Sequence, residues 1–86
     1  MTRAEIDQWA EDLDVELIVA DGFDEAFIGI DLDWDCPRAV YSREKAIEIL
    51  ERDMTYEDAV EYFDFNVSEA YVGPGTPMFI TTIPNA

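Results

Sequence analysis

Apolar residues recur at helical spacing in three parts of the chain. The first part begins with a capping-box sequence, in which Thr2 is the N-cap residue and Glu5 lies three residues on. Its apolar stripe has the i, i+3, i+4, i+7 spacing and consists of Ile6, Trp9, Ala10 and Leu13. The pattern predicts an amphipathic helix that ends near Asp12–Asp14.

The other two helical patterns each follow a residue that favours the N-cap position. Ser42 precedes a predicted helix over about Arg43–Arg52, and Thr55 precedes another. The core-facing residues of the first are predicted to be Ala46, Ile47, Ile49 and Leu50. Those of the second are predicted to be Ala59, Val60, Tyr62 and Phe63, with Val67 and Ala70 as candidates beyond them.

Short β-branched or alternating segments separate these helices. Val15–Ala20 predicts a mostly buried strand, and Phe27–Trp34 predicts a second strand after the turn signal Asp21-Gly22. Ala39–Tyr41 is a candidate third strand, and Met78–Ile83 predicts the last one. The order α-β-β-(β)-α-α-β indicates an α+β fold, in which about three helices pack on one face of a small, mainly antiparallel sheet of about three or four strands.

The composition fits one folded domain over residues 1–86. Hydrophobic residues make up 49% of the chain and aromatic residues 13%, which is enough for an apolar core. No apolar run approaches the ~18 residues of a membrane-spanning helix, and the first residues do not have the basic and apolar regions of a signal peptide. Because Cys36 is the single cysteine, no internal disulfide can form, and a cytoplasmic location is expected.

Charge is the strongest compositional signal. Twenty-one Asp and Glu residues against five Lys and Arg residues give a formal net charge of −16. Spread over the ~5,200 Å² expected for a folded chain of this size, this charge reaches about a third of the surface density of duplex DNA. Nucleic acids and anionic membranes would repel such a protein, whereas a basic protein surface would attract it.

The carboxylates form three rows that are candidate partner-binding residues. Strand alternation places one row on one side of the second predicted strand, with members ~6.5–7 Å apart, close to the spacing of DNA phosphates. The other two rows have the i, i+4, i+7 spacing of one helix face. The rows are Asp31, Asp33 and Asp35; Glu44, Glu48 and Glu51; and Glu57, Glu61 and Asp64. Each row is also the pattern of a solvated surface, so DNA mimicry requires the rows to converge on one face, with the basic residues mostly elsewhere.

Neither an active site nor a cofactor is expected. The aspartate row begins like a calcium-binding loop, but the sixth and twelfth positions hold Cys36 and Ser42 instead of glycine and glutamate. A weak divalent-cation site at this row therefore remains a lesser alternative, and no metal ligands are predicted. The chain has no histidine, so neither a Ser-His nor a Cys-His pair can form, and the protein is expected to be non-enzymatic.

The C-terminal half contains a distinctive series of residues. It runs through Met54–Val67, Ala70–Gly73 and Thr76-Pro77, and a related segment lies at Ala39–Lys45. Over roughly Ala39–Ile80 the series resembles a family of small, acidic, uncharacterised bacteriophage proteins. The resemblance implies no activity and no binding residues; it implies only a small phage-type product in an infected cytoplasm.

Two functions of different kinds follow from these features. The leading hypothesis is a phage-type inhibitor that presents a DNA-mimicking carboxylate surface to a basic nucleic-acid-binding host protein, for example a defence nuclease complex. This step is an analogy with small acidic phage proteins in general. The alternative is a small structural or interaction domain adapted to high salt, whose solvated acidic surface maintains solubility.

Overall fold

The computed structural model of the chain describes residues 2–32, 36–67, 73 and 75–82. Within these residues it has three α-helices and a three-stranded sheet, which confirms the α+β class. The helices are α1 (Arg3–Asp12), α2 (Arg43–Leu50) and α3 (Tyr56–Tyr62), and the strands are β1 (Phe27–Asp31), β2 (Arg38–Ser42) and β3 (Met78–Ile80). A 3₁₀ turn at Asp24–Ala26 precedes β1, and a π-helical turn at Phe63–Val67 continues α3. None of the helices described has the length and apolar character needed to cross a membrane.

All three predicted N-cap residues begin a helix. The Thr2 hydroxyl accepts a hydrogen bond from the Glu5 amide at 3.2 Å, and the Glu5 carboxylate accepts one from the Thr2 amide at 3.1 Å, so the capping box is complete. Ser42 and Thr55 cap α2 and α3 through hydrogen bonds of 3.2 Å. The helix predicted to follow Ser42 ends at Leu50, two residues earlier than expected.

The turn that follows α1 contains a residue in the left-handed conformation. Asp14 has a φ of 57°, a conformation that aspartate adopts more readily than most residues other than glycine. The amides of Asp14 and Val15 donate to the carbonyls of Glu11 and Ala10 at 3.0 Å, which is the Schellman arrangement. The turn satisfies the last helical carbonyls and directs the chain into the extended segment that follows.

The central strand of the sheet is β2, in the order β1-β2-β3. β1 and β2 are antiparallel, with Phe27 opposite Tyr41 and Asp31 opposite Arg38. β3 runs parallel to β2, so the two strands need a crossover connection, and α2 and α3 lie in it.

The prediction of a strand at Val15–Ala20 is wrong. The segment has no regular secondary structure and belongs to no sheet, and its Ala20 amide donates to the Tyr41 hydroxyl at 2.9 Å. Leu17 and Val19 pack against the core. The apolar composition therefore indicated partial burial of side chains and not backbone pairing, because β propensity mainly measures how well a side chain fits a half-buried surface.

The other strand predictions are correct in place but differ in length. The predicted third strand lies within β2. β1 ends at Asp31 instead of Trp34, and residues 33–35 lie outside the described part of the chain. β3 ends at Ile80, and Ile83 also lies outside it.

Tyr41 is fully buried at the centre of the core. Its ring stacks on that of Phe79, with centroids 5.2 Å apart, and meets the ring of Phe27 edge-on at 5.6 Å. Phe63 packs edge-on against Phe79 at 5.0 Å. The same buried cluster takes residues from every helix, namely Ile6, Ala46, Ile47 and Ala59. One core therefore holds the helices and the sheet together.

Candidate partner-binding surface

All five basic side chains have a partner within the chain. Four of them form ion pairs with N–O distances between 2.6 and 3.4 Å, and Arg38 donates to the Thr76 carbonyl at 2.6 Å. The ion pairs are Arg3 with Asp7 and Asp21, Arg43 with Asp64, Lys45 with Glu48, and Arg52 with Glu25. Two of the five, Arg43 and Lys45, pair with members of the acidic rows, so the basic residues are not all separate from those rows.

The row on α2 is mostly engaged within the chain. Glu44 accepts hydrogen bonds from the Thr82 amide at 2.7 Å and from the Thr82 hydroxyl at 3.0 Å, which tie the start of α2 to the segment after β3. These bonds, the one from the amide above all, hold the pKa of the Glu44 carboxyl below its ordinary value. Glu48 lies 3.4 Å from Lys45. Glu51 is the one member of the row that is exposed and has no ion pair with a described residue.

The strand row does not form a defined site. Asp31 is half-buried at the end of β1, opposite Arg38. Asp33 and Asp35 lie outside the described residues. In the part of the chain that the structure describes, no group of three carboxylate or thiol side chains is arranged to hold a metal ion.

In the row on α3, two of the three carboxylates have no ion pair with a described residue. Glu57 and Glu61 are exposed, as is Asp58 beside them, and none of the three forms an ion pair within the described ranges. Asp64 differs, because Arg43 lies 3.4 Å from its carboxylate.

Five exposed carboxylates thus remain unpaired on α3 and on the turn before it, within the residues described. We call them the acidic α3 surface, and they are Glu51, Asp53, Glu57, Asp58 and Glu61. The one cation in this stretch, Arg52, is directed to Glu25 at 2.6 Å. The three rows predicted from the sequence did not include two of these residues. Asp53 lies in the turn before α3, and Asp58 lies on α3 next to the predicted row.

Aromatic side chains are exposed on the same helix. Tyr62 is 45% exposed and Phe65 is 68% exposed, whereas Phe63 between them is buried. The prediction that Tyr62 faces the core is wrong. Ala59 and Phe63 form the buried stripe of the helix at i, i+4 spacing, and Tyr62 lies at the margin of this stripe.

An apolar cleft of about 500 Å³ lies beside these aromatic residues. The extended segment after α1 forms one wall, and the end of α2, the π-helical turn and β3 contribute the rest. Its apolar lining includes Ile18, Phe23, Leu50, Val67 and Phe79. The sequence did not indicate this cleft, because the segment that forms one wall was predicted to be part of the sheet.

The cleft is continuous with the acidic α3 surface. Tyr62 and Asn66 line the cleft and also line a shallower hollow together with Asp58, Glu61 and Phe65. Two carboxylates line the cleft itself: Asp21, which is paired with Arg3 at 2.9 Å, and Asp53, which has no ion pair with a described residue.

Within the described residues, these features define a small acidic α+β domain in which an unpaired carboxylate surface lies beside an apolar cleft. Comparison of the chain with family models, with curated proteins and with solved structures found no match.

Proposed function

We propose that this chain is a non-enzymatic acidic binding protein. It acts as a phage-type inhibitor in the cytoplasm, where its acidic α3 surface occupies the basic nucleic-acid-binding surface of another protein. The observation that carries the proposal is the distribution of cations, since all five are paired with other groups and none pairs with the acidic α3 surface. Like charges at i, i+4 spacing, such as Glu57 and Glu61, cost a helix ~0.2–0.5 kcal/mol per pair, so the arrangement does not serve the stability of α3.

Local concentration of charge supports the comparison with DNA. The surface area of 5780 Å² corresponds to about 360 Å² per net charge, roughly threefold more dilute than duplex DNA. On α3, however, three carboxylates lie within ~6 Å measured along the helix axis, namely Glu57, Asp58 and Glu61. One DNA strand carries one phosphate per ~3.4 Å of its axis, so the linear charge density on α3 is comparable.

Neutralising the acidic α3 surface is expected to weaken binding of the basic partner about tenfold or more and to reduce its salt dependence. The variant combines Glu57→Gln, Asp58→Asn and Glu61→Gln, which retain side-chain shape. The partner is first recovered from bacterial extract at low salt. Its affinity is then measured from 0.05 to 0.3 M NaCl, together with competition by duplex DNA.

A second variant controls for total charge. Glu11→Gln, Asp12→Asn and Glu16→Gln remove the same three charges from exposed positions on and after α1, and this variant is expected to bind within about threefold of the wild type. Equal losses for both variants would show that net charge alone matters. Unchanged binding by the α3 variant, or failure of duplex DNA to compete, would contradict the proposal.

Adaptation to high salt is the second candidate function. It is favoured by exposed carboxylates that lie outside the acidic α3 surface, which include Glu11, Asp12, Asp14 and Glu16. A salt-adapted surface is solvated over the whole molecule and does not require a partner.

Thermal unfolding at different salt concentrations separates the two candidates. We expect the chain to be folded in 0.1 M NaCl, and its midpoint to rise by about 5 °C in 1 M NaCl, because the Debye length shortens from ~10 Å to ~3 Å and screens self-repulsion. Circular dichroism measures both quantities. A chain that is unfolded in 0.1 M NaCl and folds only in molar salt would favour salt adaptation instead.

A further inference from the structure

We infer that the apolar cleft receives a large apolar side chain from a basic segment of the partner, whose lysine or arginine side chains contact Asp53, Asp58 and Glu61. This inference rests on the proposed function, because it names the segment of the basic partner that the same surface binds. The apolar anchor fixes the position of the bound segment, which ion pairs alone would allow to shift along the acidic surface.

The cleft has the size and the lining of an anchor site. Its volume of about 500 Å³ lies within the range of pockets that bury small ligands. Ile18 on one wall is 41% exposed and Tyr62 is 45% exposed, so apolar surface on the walls is open to solvent. A large side chain bound in the cleft would remove part of this surface from water.

The carboxylates lie where an anchored segment would bring its flanking residues. Asp53 lines the cleft, and Asp58 and Glu61 line the adjoining hollow, which shares Tyr62 with the cleft. Phe65, which is 68% exposed, lies in the same hollow and can contact the alkyl part of a lysine or the guanidinium plane of an arginine. One bound segment can therefore satisfy the apolar cleft and the unpaired carboxylates together.

Charge complementarity selects this occupant. A second copy of the chain would bring another net charge of −16 to a surface that is already acidic. Nucleic acids and anionic lipids are repelled for the same reason. An apolar site with unpaired carboxylates at its margin instead matches a segment with one apolar anchor between basic residues, the arrangement of a buried core and a charged rim found at protein interfaces.

A pair of synthetic peptides tests the anchor directly. Both are fluorescein-labelled Lys-Ser peptides of equal charge; one carries a central tryptophan, and the other carries serine at that position. Binding is measured by fluorescence anisotropy at 0.05 and 0.3 M NaCl.

The tested substitution is Ile18→Ser in the cleft, and its matched control is Ile28→Ser on β1, where isoleucine is 50% exposed and lies outside the cleft.

The wild-type chain is expected to bind the tryptophan peptide about tenfold more tightly than the serine peptide. Ile18→Ser should remove most of this difference, and Ile28→Ser should retain it. Tyr62→Ser is the second cleft variant, with Tyr56→Ser as its control, so the test does not depend on the folding of Ile18→Ser. Circular dichroism confirms that each variant is folded.

Three results would overturn the inference, and they separate it from the proposed function. Equal, salt-dependent binding of both peptides to the wild type overturns the anchor while the acidic binding function stands. Absence of salt-dependent binding to either peptide overturns the proposed function and the anchor with it. Dimerisation in molar salt that Ile18→Ser abolishes and Ile28→Ser preserves would assign the cleft to a second copy of the chain.

Discussion

Replacing Phe63 by alanine is expected to lower the free energy of unfolding by about 3–5 kcal/mol. Phe63 is 1% exposed, packs edge-on against Phe79 at 5.0 Å, and lies below the guanidinium group of Arg43 at 5.4 Å. Truncation removes these contacts and leaves a cavity under the π-helical turn. Because a small domain is stable by only ~5–15 kcal/mol, the loss would leave the chain marginally folded.

The matched control is Phe65→Ala, two residues further along the same turn. Phe65 is 68% exposed, so its truncation is expected to change the unfolding free energy by less than about 0.5 kcal/mol. Urea denaturation followed by circular dichroism measures both variants. Similar losses of stability for the two variants would contradict the burial of Phe63 and the exposure of Phe65. They would then also contradict the proposed contact between Phe65 and the partner.

Replacing Tyr41 by phenylalanine is expected to lower the free energy of unfolding by about 1–3 kcal/mol. The Tyr41 hydroxyl accepts a hydrogen bond from the Ala20 amide at 2.9 Å, and the phenylalanine ring would leave that half-buried amide without this acceptor. Burial raises the pKa of Tyr41, so its hydroxyl is neutral throughout the physiological range. The bond fastens the extended segment at 15–20, which is not held by a sheet ladder, to the centre of the core.

Tyr56→Phe is the control, because it removes the same hydroxyl from a side chain that is 61% exposed. It is expected to be neutral within about 0.5 kcal/mol. Urea denaturation measures stability, and hydrogen exchange at the Ala20 amide measures the local effect. If Ala20 exchanges equally fast in the wild type and in Tyr41→Phe, the hydroxyl does not hold the segment.

The helix starts could be predicted from the sequence because they depend on neighbouring residues, and the inner faces could be predicted in part. The N-cap hydrogen bonds of Thr2, Ser42 and Thr55 all connect residues three apart. Periodicity likewise identified Ala59 and Phe63 as core residues. The excess of carboxylates is a property of composition, and the prediction that nucleic acids are repelled follows from it before any fold is known.

Sheet membership was less predictable. Val15–Ala20 has the composition of a strand, yet it pairs with neither edge of the sheet β1-β2-β3 and packs through its side chains instead. Backbone pairing requires a neighbour with a free edge in the right place, which is decided by the whole chain and not by the segment itself.

The sequence alone determined the number of acidic residues and their regular spacing. Only the tertiary structure decided which of these carboxylates form ion pairs or hydrogen bonds within the chain and which do not. Arg43 reaches Asp64 across 21 residues, Arg52 reaches Glu25 across 27, and Glu44 bonds to Thr82 across 38. Such contacts form because packing brings distant elements together, and local spacing does not encode them. The same packing leaves Glu57, Asp58 and Glu61 exposed beside an apolar cleft, and this juxtaposition is the physical basis of the proposed binding function.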